Sequence, residues 1–418
     1  MTQFVKLAVL AGWFFSHGAQ GLDLVPQLLR VNGSSVTLSV PSGTRVEFLA
    51  SIPGARFLAV GPDNELIAGS NGASVYRLLP PYRSAQTLVS IGTRSHSAVI
   101  RGGKLYVADS AGLYEADYAG PSTLLQPASM TRILTFPTGG HSSRSVIVGA
   151  DNSLYIGIGI SGNCSDEYIA GTSPDYSFNL RRGGVWRVDE SGPTPLLTPF
   201  SSGLRNPIGL AVNPENGELW TTNAGSDDLG YNQPREIFSR LHQDSWHGMP
   251  WFQYIDSSFQ RQGCIGSSPP RPASEATPPS VTFDARSTPM GIAFVQNNQL
   301  SNAFNGNALV AIHGSWASNG GPGTRRPPKI AMVRFQGNDP IGVEDAVSGF
   351  QRADGSRFAR PSGAIIGPDG NFYFSSDGGE VQGLFRLVKT PPASSPPPPS
   401  PDTSAAVIAP SVSLLLGD

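Results

Sequence analysis

A short segment recurs six times along this chain in altered form, and that recurrence limits its fold more than any other feature. The first copy reads Arg56-Phe57-Leu58-Ala59-Val60, then Gly61-Pro62-Asp63-Asn64-Glu65-Leu66-Ile67-Ala68. The last reads Arg360-Pro361-Ser362-Gly363-Ala364-Ile365-Ile366, then Gly367-Pro368-Asp369-Gly370-Asn371-Phe372-Tyr373-Phe374. Each is an apolar strand, a turn built on Asp, Asn or Gly, and a second apolar strand. Such a unit cannot bury its own face and must stack on its neighbours; repeats of roughly 40 residues and upward mark propellers and solenoids. The first strands begin near Leu58, Ser97, Ser145, Gly209, Gly291 and Gly363, and third strands are visible at Val75-Tyr76-Arg77-Leu78, Gly184-Val185-Trp186-Arg187-Val188 and Leu384-Phe385-Arg386-Leu387. The expectation is an all-β fold: a six-bladed β-propeller with four-stranded antiparallel blades around a central channel, with function in the loops at the channel mouth. A load of 49 glycines and 37 prolines in 418 residues fits many short strands and turns. The copies are spaced more widely in the middle, which predicts insertions after blades three and four.

The ends differ from the body. Lys6, the apolar run 7–15 and the small residues Ala19-Gln20-Gly21 follow the order of a secretory signal, so 1–21 is read as a signal peptide and the protein as secreted and extracellular. A buried first strand is the alternative. The propeller is expected over 22–389, and 390–418 as a Pro-rich linker with a disordered tail. A membrane contact would arise only if the apolar stretch 405–416 were a lipid-anchor signal. An oxidising compartment favours pairing the only two cysteines, Cys164 and Cys264. Asn32-Gly33-Ser34 and Asn163-Cys164-Ser165 are glycosylation sequons. A formal net charge of −2 argues against a nucleic-acid partner.

Residues at equivalent blade positions ring the same end of the channel. Arg56, His96, His141, Arg205 with Asn206, and Arg360 all stand where a first strand begins. Three arginines and two histidines converging there suit a flat anionic ligand with a base beside it. His313-Gly314-Ser315-Trp316 follows the second strand of blade five, on a Gly-rich loop running to Lys329; Asn223-Ala224-Gly225-Ser226-Asp227-Asp228 follows that of blade four and could offer oxygens to Ca²⁺. Taken singly, each has a plain reading: arginines that cap carbonyls, a satisfied polar histidine, a solvated Asp turn.

The run Gly140-His141-Ser142-Ser143-Arg144, then Gly149-Ala150-Asp151-Asn152-Ser153-Leu154-Tyr155 and Gly157-Ile158-Gly159, resembles blade three of the secreted PQQ-dependent sugar dehydrogenases. Leu204-Arg205-Asn206-Pro207-Ile208-Gly209 is similar to their blade four, and the His313 and Arg360 motifs look like the sorbosone/pyranose dehydrogenase branch. The resemblance implies PQQ and Ca²⁺ as cofactors and hydride transfer from a sugar's anomeric carbon to the quinone. It implies His141 as general base and Arg205 as the group that stabilises charge on the quinone. It implies Arg56, Asn206, His313, Lys329 and Arg360 around the cofactor, and the carbonyls of Gly225 and Ser226 on the metal. Its partners would be a sugar and an electron acceptor such as a cytochrome domain or a soluble quinone. The sequence departs from the soluble glucose dehydrogenases in placing Ile160 where they place an Asp that orients the histidine, which leaves the orienting partner of His141 open. Two other functions remain: a catalytically silent propeller that binds a glycan or protein, or a calcium-dependent lactonase-like hydrolase.

Overall fold

The computed structural model describes residues 21–168, 182–263, 265–315 and 325–391. Residues 1–20 of the signal assignment, 392–418 of the tail assignment, Cys264 and Trp316 fall outside these residues.

The six copies form six antiparallel sheets. Blade one comprises Ala55–Val60, Leu66–Ser70, Ser74–Leu78 and Gln86–Ser90; blade two comprises Ser97–Arg101, Lys104–Ala108, Gly112–Asp117 and Thr131–Thr135. Blade three comprises Val146–Val148, Leu154–Ile158, Gly184–Asp189 and Leu196–Ser202, and blade four Pro207–Val212, Leu219–Asn223, Glu236–Leu241 and Val281–Phe283. Blade five comprises Pro289–Phe294, Ala308–Ile312, Lys329–Gln336 and Asp339–Val347. Blade six has Pro361–Ile366, Phe372–Ser376 and Gly383–Lys389, and its outer strand is Thr44–Ser51 from the other end of the chain, paired antiparallel to Gly383–Lys389. The first strand of each blade neighbours the next, and the sixth returns to the first. The ring is thus closed by β-pairing between the two chain ends, which protects edges that an open arc would expose.

The period-2 pattern puts one face of every strand against the next blade. Between blades four and five, Trp220 stacks on Phe238 with ring centroids 5.0 Å apart and meets Phe335 edge-on at 5.4 Å, inside a cluster with Val310, Ala331 and Val333. Glycine opens the inner strands because they crowd at the axis. A Cβ on Gly209 would lie 1.9 Å from the carbonyl oxygen of Met290 in the next blade. In blades one, four, five and six the pairing of the first two strands slips at this point, between Ala55 and Leu58, Pro207 and Gly209, Pro289 and Ile292, and Pro361 and Ala364. Such bulges re-aim side chains at the rim of a sheet.

Two details differ from the sequence reading. The closing strand comes from upstream of the first repeat, in a segment with no recurring motif. The insertions lie within blades three and four rather than after them: one separates the second and third strands of blade three, and the other, between the third and fourth strands of blade four, holds the hairpin Phe252–Ile255/Ser258–Arg261 and the strand Ser245–Trp246, which adds in parallel to blade three. A further hairpin, Leu24–Val31/Ser34–Pro41, packs its apolar face on blades five and six and turns at Asn32-Gly33, both with positive φ.

Candidate active site

The leading ends of the inner strands surround a cavity of about 540 Å³, within the usual size of small-molecule sites of about 300–1,000 Å³. Arg56, His96, His141, Arg205, Asn206, Gly225 and His313 all line it, joined by Arg94, Asp227, Glu236 and Arg286. Two sets of positions converge: the starts of first strands (Arg56, His96, Arg205) and the residues following second strands (Asn71, Gly225, His313).

His141 is held through its backbone. Arg144, fully buried, donates from Nη1 to the carbonyls of His141 (2.6 Å) and Ser143 (2.8 Å), and from Nη2 to that of Pro137 (2.7 Å). Arg182 donates to the carbonyls of Gly139 (3.0 Å) and Thr138. The ring nitrogen Nδ1 lies 2.5 Å from the carbonyl oxygen of Ile160. A carbonyl only accepts, so Nδ1 carries the proton and Nε2 presents its lone pair. The backbone of Ile160 therefore supplies the orienting contact, while its side chain is buried in the fold. The turn that delivers this carbonyl requires Gly159: a Cβ there would lie 2.7 Å from Cβ of His141 and 3.1 Å from the oxygen of Arg205. Burial, and then the nearby guanidinium of Arg205, push the His141 pKa down to about 4, so the ring is neutral at physiological pH.

The opposite wall is anchored on a residue the sequence reading did not single out. Asp377, at the end of the second strand of blade six, accepts from Arg56 Nε at 2.7 Å, from His313 Nε2 at 2.7 Å and from Asn71 Nδ2 at 3.1 Å. Burial opposes its ionisation, yet His313 and Arg56 together hold its carboxyl below the usual range. Arg56 also donates to Ser143 at 2.9 Å and meets Nδ1 of His96 at 3.2 Å. His96 must accept there, which leaves its proton on Nε2, a buried atom without a partner. The signal for Asp377 was its place in blade six, equivalent to that of His313 in blade five.

Arg205 is buried and donates to the carbonyl of Ala224 (3.2 Å), to Asn163 Oδ1 and to Asp227 Oδ2 (3.3 Å); its Nε is buried and unpartnered, as is Oδ1 of Asn206. Arg286 donates to the carbonyls of Gly230 (2.8 Å) and Asp227, fixing the lip formed by the blade-four loop. Glu236 accepts from Gly225 N–H at 2.5 Å, and complete burial raises its pKa to about 7.

Three predicted ligands lie elsewhere. Lys329 is bound to Asp345 on the neighbouring strand at 2.6 Å and does not line the cavity. Arg360 spans the carbonyls of His313, Gly314 and Ser315 at 3.1–3.2 Å and does not line the cavity. Ser226 is buried and off the cavity, so of the two proposed calcium ligands only Gly225 borders it. Among the described residues no group of three or more His, Cys, Asp or Glu side chains could hold a metal. A hard cation here would rest on backbone oxygens and on those of its ligand.

His141 and His247 both have pKa values pushed down to about 4, chiefly by burial. The unfolded chain therefore binds more protons than the folded one between pH 6.5 and 4, and stability falls on acidification through that window. Each such group contributes at most about 1.4 kcal/mol per pH unit to that slope, and His313, also pushed down to about 4, and His96, pushed well below its usual value, act in the same direction. Denaturant titrations at pH 7, 6 and 5 are expected to show a decline that His247→Gln partly removes; equal midpoints would contradict the burial of these rings.

The fold and cavity define a six-bladed propeller with a basic, histidine-bearing pocket on its axis. The glucose/sorbosone dehydrogenase family model matches residues 129–315, which hold His141, Arg205, Asn206 and His313. The chain resembles the PQQ-dependent sugar dehydrogenases, in agreement with the motifs of blades three and four. Among solved structures, the Trichoderma reesei Carbohydrate-Active Enzymes Family AA12 protein superposes with a TM-score of 0.67 at 18% identity, over 84% of this chain and 97% of that one. The PQQ domain of pyranose dehydrogenase from Coprinopsis cinerea gives 0.63 at 18%, over 84% and 97%. The soluble aldose sugar dehydrogenase of Escherichia coli gives 0.59 at 15%, over 83% and 100%. At these identities the likeness is one of fold. An uncharacterized protein of Borreliella burgdorferi is 26% identical over 180 residues, and the match spans 42% of this chain and 45% of that relative.

Proposed function

We propose that this protein is a PQQ-dependent sugar dehydrogenase that oxidises an aldose, pyranose or ketoaldose such as sorbosone at its anomeric or aldehyde carbon. The observation that carries the reading is a neutral histidine with a free Nε2 on the wall of a cavity lined by Arg56, Arg94, Arg205 and Arg286. The residues fit a flat polyanion. Cavity cations exceed the carboxylates Asp227 and Glu236, and two buried donors, Arg205 Nε and His96 Nε2, await acceptors. Arg56 and Arg205 would hold its carboxylates and quinone edge, with Asn206 beside them. When bound, the quinone supplies the acceptor for two electrons and the C1 hydrogen. With a cyclic sugar, His141 Nε2 would take the proton of the anomeric hydroxyl as C1 loses its hydride, which leaves a lactone; an aldehyde would react as its hydrate, losing the hydroxyl proton and the hydride to give the acid. Arg205, whose Nε–H is unpartnered, would be the donor that stabilises negative charge on the group accepting the hydride. Gly225 is the proposed backbone contact for Ca²⁺.

The test is titration of metal-depleted protein with PQQ, with and without Ca²⁺, followed by visible absorbance and a panel of aldoses. Stoichiometric binding and bleaching of the quinone band by one sugar are expected. An unchanged spectrum at saturating PQQ would overturn the reading. Tight binding without Ca²⁺ would remove the metal from it. Secretion, a Cys164–Cys264 bridge, glycosylation at the Asn32 sequon and transfer of electrons to a cytochrome domain or soluble quinone belong to the same proposal. Among the described residues no helix is long and apolar enough to cross a membrane.

A further inference from the structure

We propose that Asn163 is the positioning residue for Arg205, and that its sequon must remain unmodified for the cavity to work. Asn163 lies in the turn after the second strand of blade three, 42 residues from Arg205, and its side-chain amide is turned toward the blade-four lip. Its Oδ1 accepts from Arg205 Nη2 and from the N–H of Asp227 at 3.2 Å, and its Nδ2 donates to Asp228 Oδ1 at 2.9 Å. One short side chain thus ties the cavity arginine to two consecutive residues of the loop that borders the same cavity.

The other contacts of Arg205 are weaker anchors. Asp227 is 55% exposed at its side chain, and water screens its 3.3 Å contact. The carbonyl of Ala224 holds Nη1 alone, at 3.2 Å. Neither fixes the rotation of the guanidinium plane, which decides where the unpartnered Nε–H points. Asn163 supplies that second point of attachment. Nδ2 is also the atom to which an N-linked glycan attaches. A saccharide there would lie against Asp228 and push the lip away from Arg205. The same tripeptide that reads as a modification signal therefore reads, in the folded protein, as part of the site.

The proposal rests on the dehydrogenase reading only for the natural ligand, so two probes are used: PQQ, and benzene-1,2,4-tricarboxylate, a flat trianion with no redox chemistry. Asn163→Ala is expected to weaken both by roughly 10- to 100-fold, the worth of a hydrogen bond to a charged group. In an Arg205→Ala background the same substitution is expected to cost nothing further; a merely structural asparagine would cost the same in both backgrounds. Ser165→Ala, which deletes the sequon and keeps Asn163, is expected to bind like the wild type. Equal affinity of Asn163→Ala and wild type, or additivity with Arg205→Ala, overturns the proposal. So does a mass spectrum showing a glycan on Asn163 in protein of full affinity. If the wild type binds the tricarboxylate but not PQQ, the dehydrogenase reading falls and the double-mutant cycle with the tricarboxylate still decides this one. If it binds neither, both fall.

Discussion

His141→Ala is expected to lower turnover of a reactive sugar by about 10²- to 10⁴-fold, the usual contribution of a positioned general base, while PQQ still binds within a few-fold of the wild type. The separation follows from the geometry. His141 contributes one uncharged nitrogen to the cavity, whereas the anion is recognised by arginines that do not depend on its ring. Arg144 and Arg182 hold the 137–144 segment through backbone carbonyls, so truncating the side chain leaves the loop in place. Single-turnover reduction of bound quinone, measured by absorbance, is the decisive readout. A variant that binds PQQ and reduces it at the wild-type rate would remove His141 from the mechanism. One that fails to bind would mean that the ring is a ligand of the cofactor and not a base.

The second large effect is expected at Asp377. Its carboxylate is 2% exposed and is shared by Arg56 and His313. Removing one partner of a buried ion pair strands the other charge and costs about 3–5 kcal/mol. Asp377→Asn should therefore unfold at markedly lower denaturant and bind PQQ more weakly, because Arg56 loses its anchor. A general loss of stability could mimic the second effect, so the double variant Arg56→Gln/Asp377→Asn is the control. With no buried charge left unpaired it should recover much of the stability and none of the affinity. Recovery of both would show that the Arg56–Asp377 pair serves the fold alone and that Arg56 does not hold the ligand, and unchanged stability in the single variant would show that the buried contacts of Asp377 do not form.

The blades were legible because a strand–turn–strand unit repeats its chemistry: apolar alternation, Asp or Gly at the turn, glycine where inner strands crowd. His141, Arg205, Asn206, Arg56 and His313 were legible because position within a repeat fixes which end of the channel a residue faces. Position gave less for Lys329 and Arg360. Both are near the right end, but side-chain partners decide direction, and Asp345 and the carbonyls following blade five claim them. Asp377 escaped because Ser-Ser-Asp-Gly-Gly reads as an ordinary turn until blade six is laid beside blade five. The partner of His141 escaped for a different reason. It is a backbone carbonyl, and any residue at position 160 would carry one. Thr44–Ser51 has no motif of its own, and its pairing is a contact between residues about as far apart in sequence as this ring permits.

The clasp between the two chain ends has a consequence for synthesis. Arg56 and Asp377 stand 321 residues apart, so at about 5–20 residues per second Arg56 leaves the ribosome on the order of 15–60 s before its counter-ion exists. During that interval five blades can stack, but the axis has no complete wall on the side of blade six, and a cationic side chain waits in what will become buried space. A nascent chain released early would hold most of its sheets and no anion pocket. Ligand binding would thus report whether the last blade has been made.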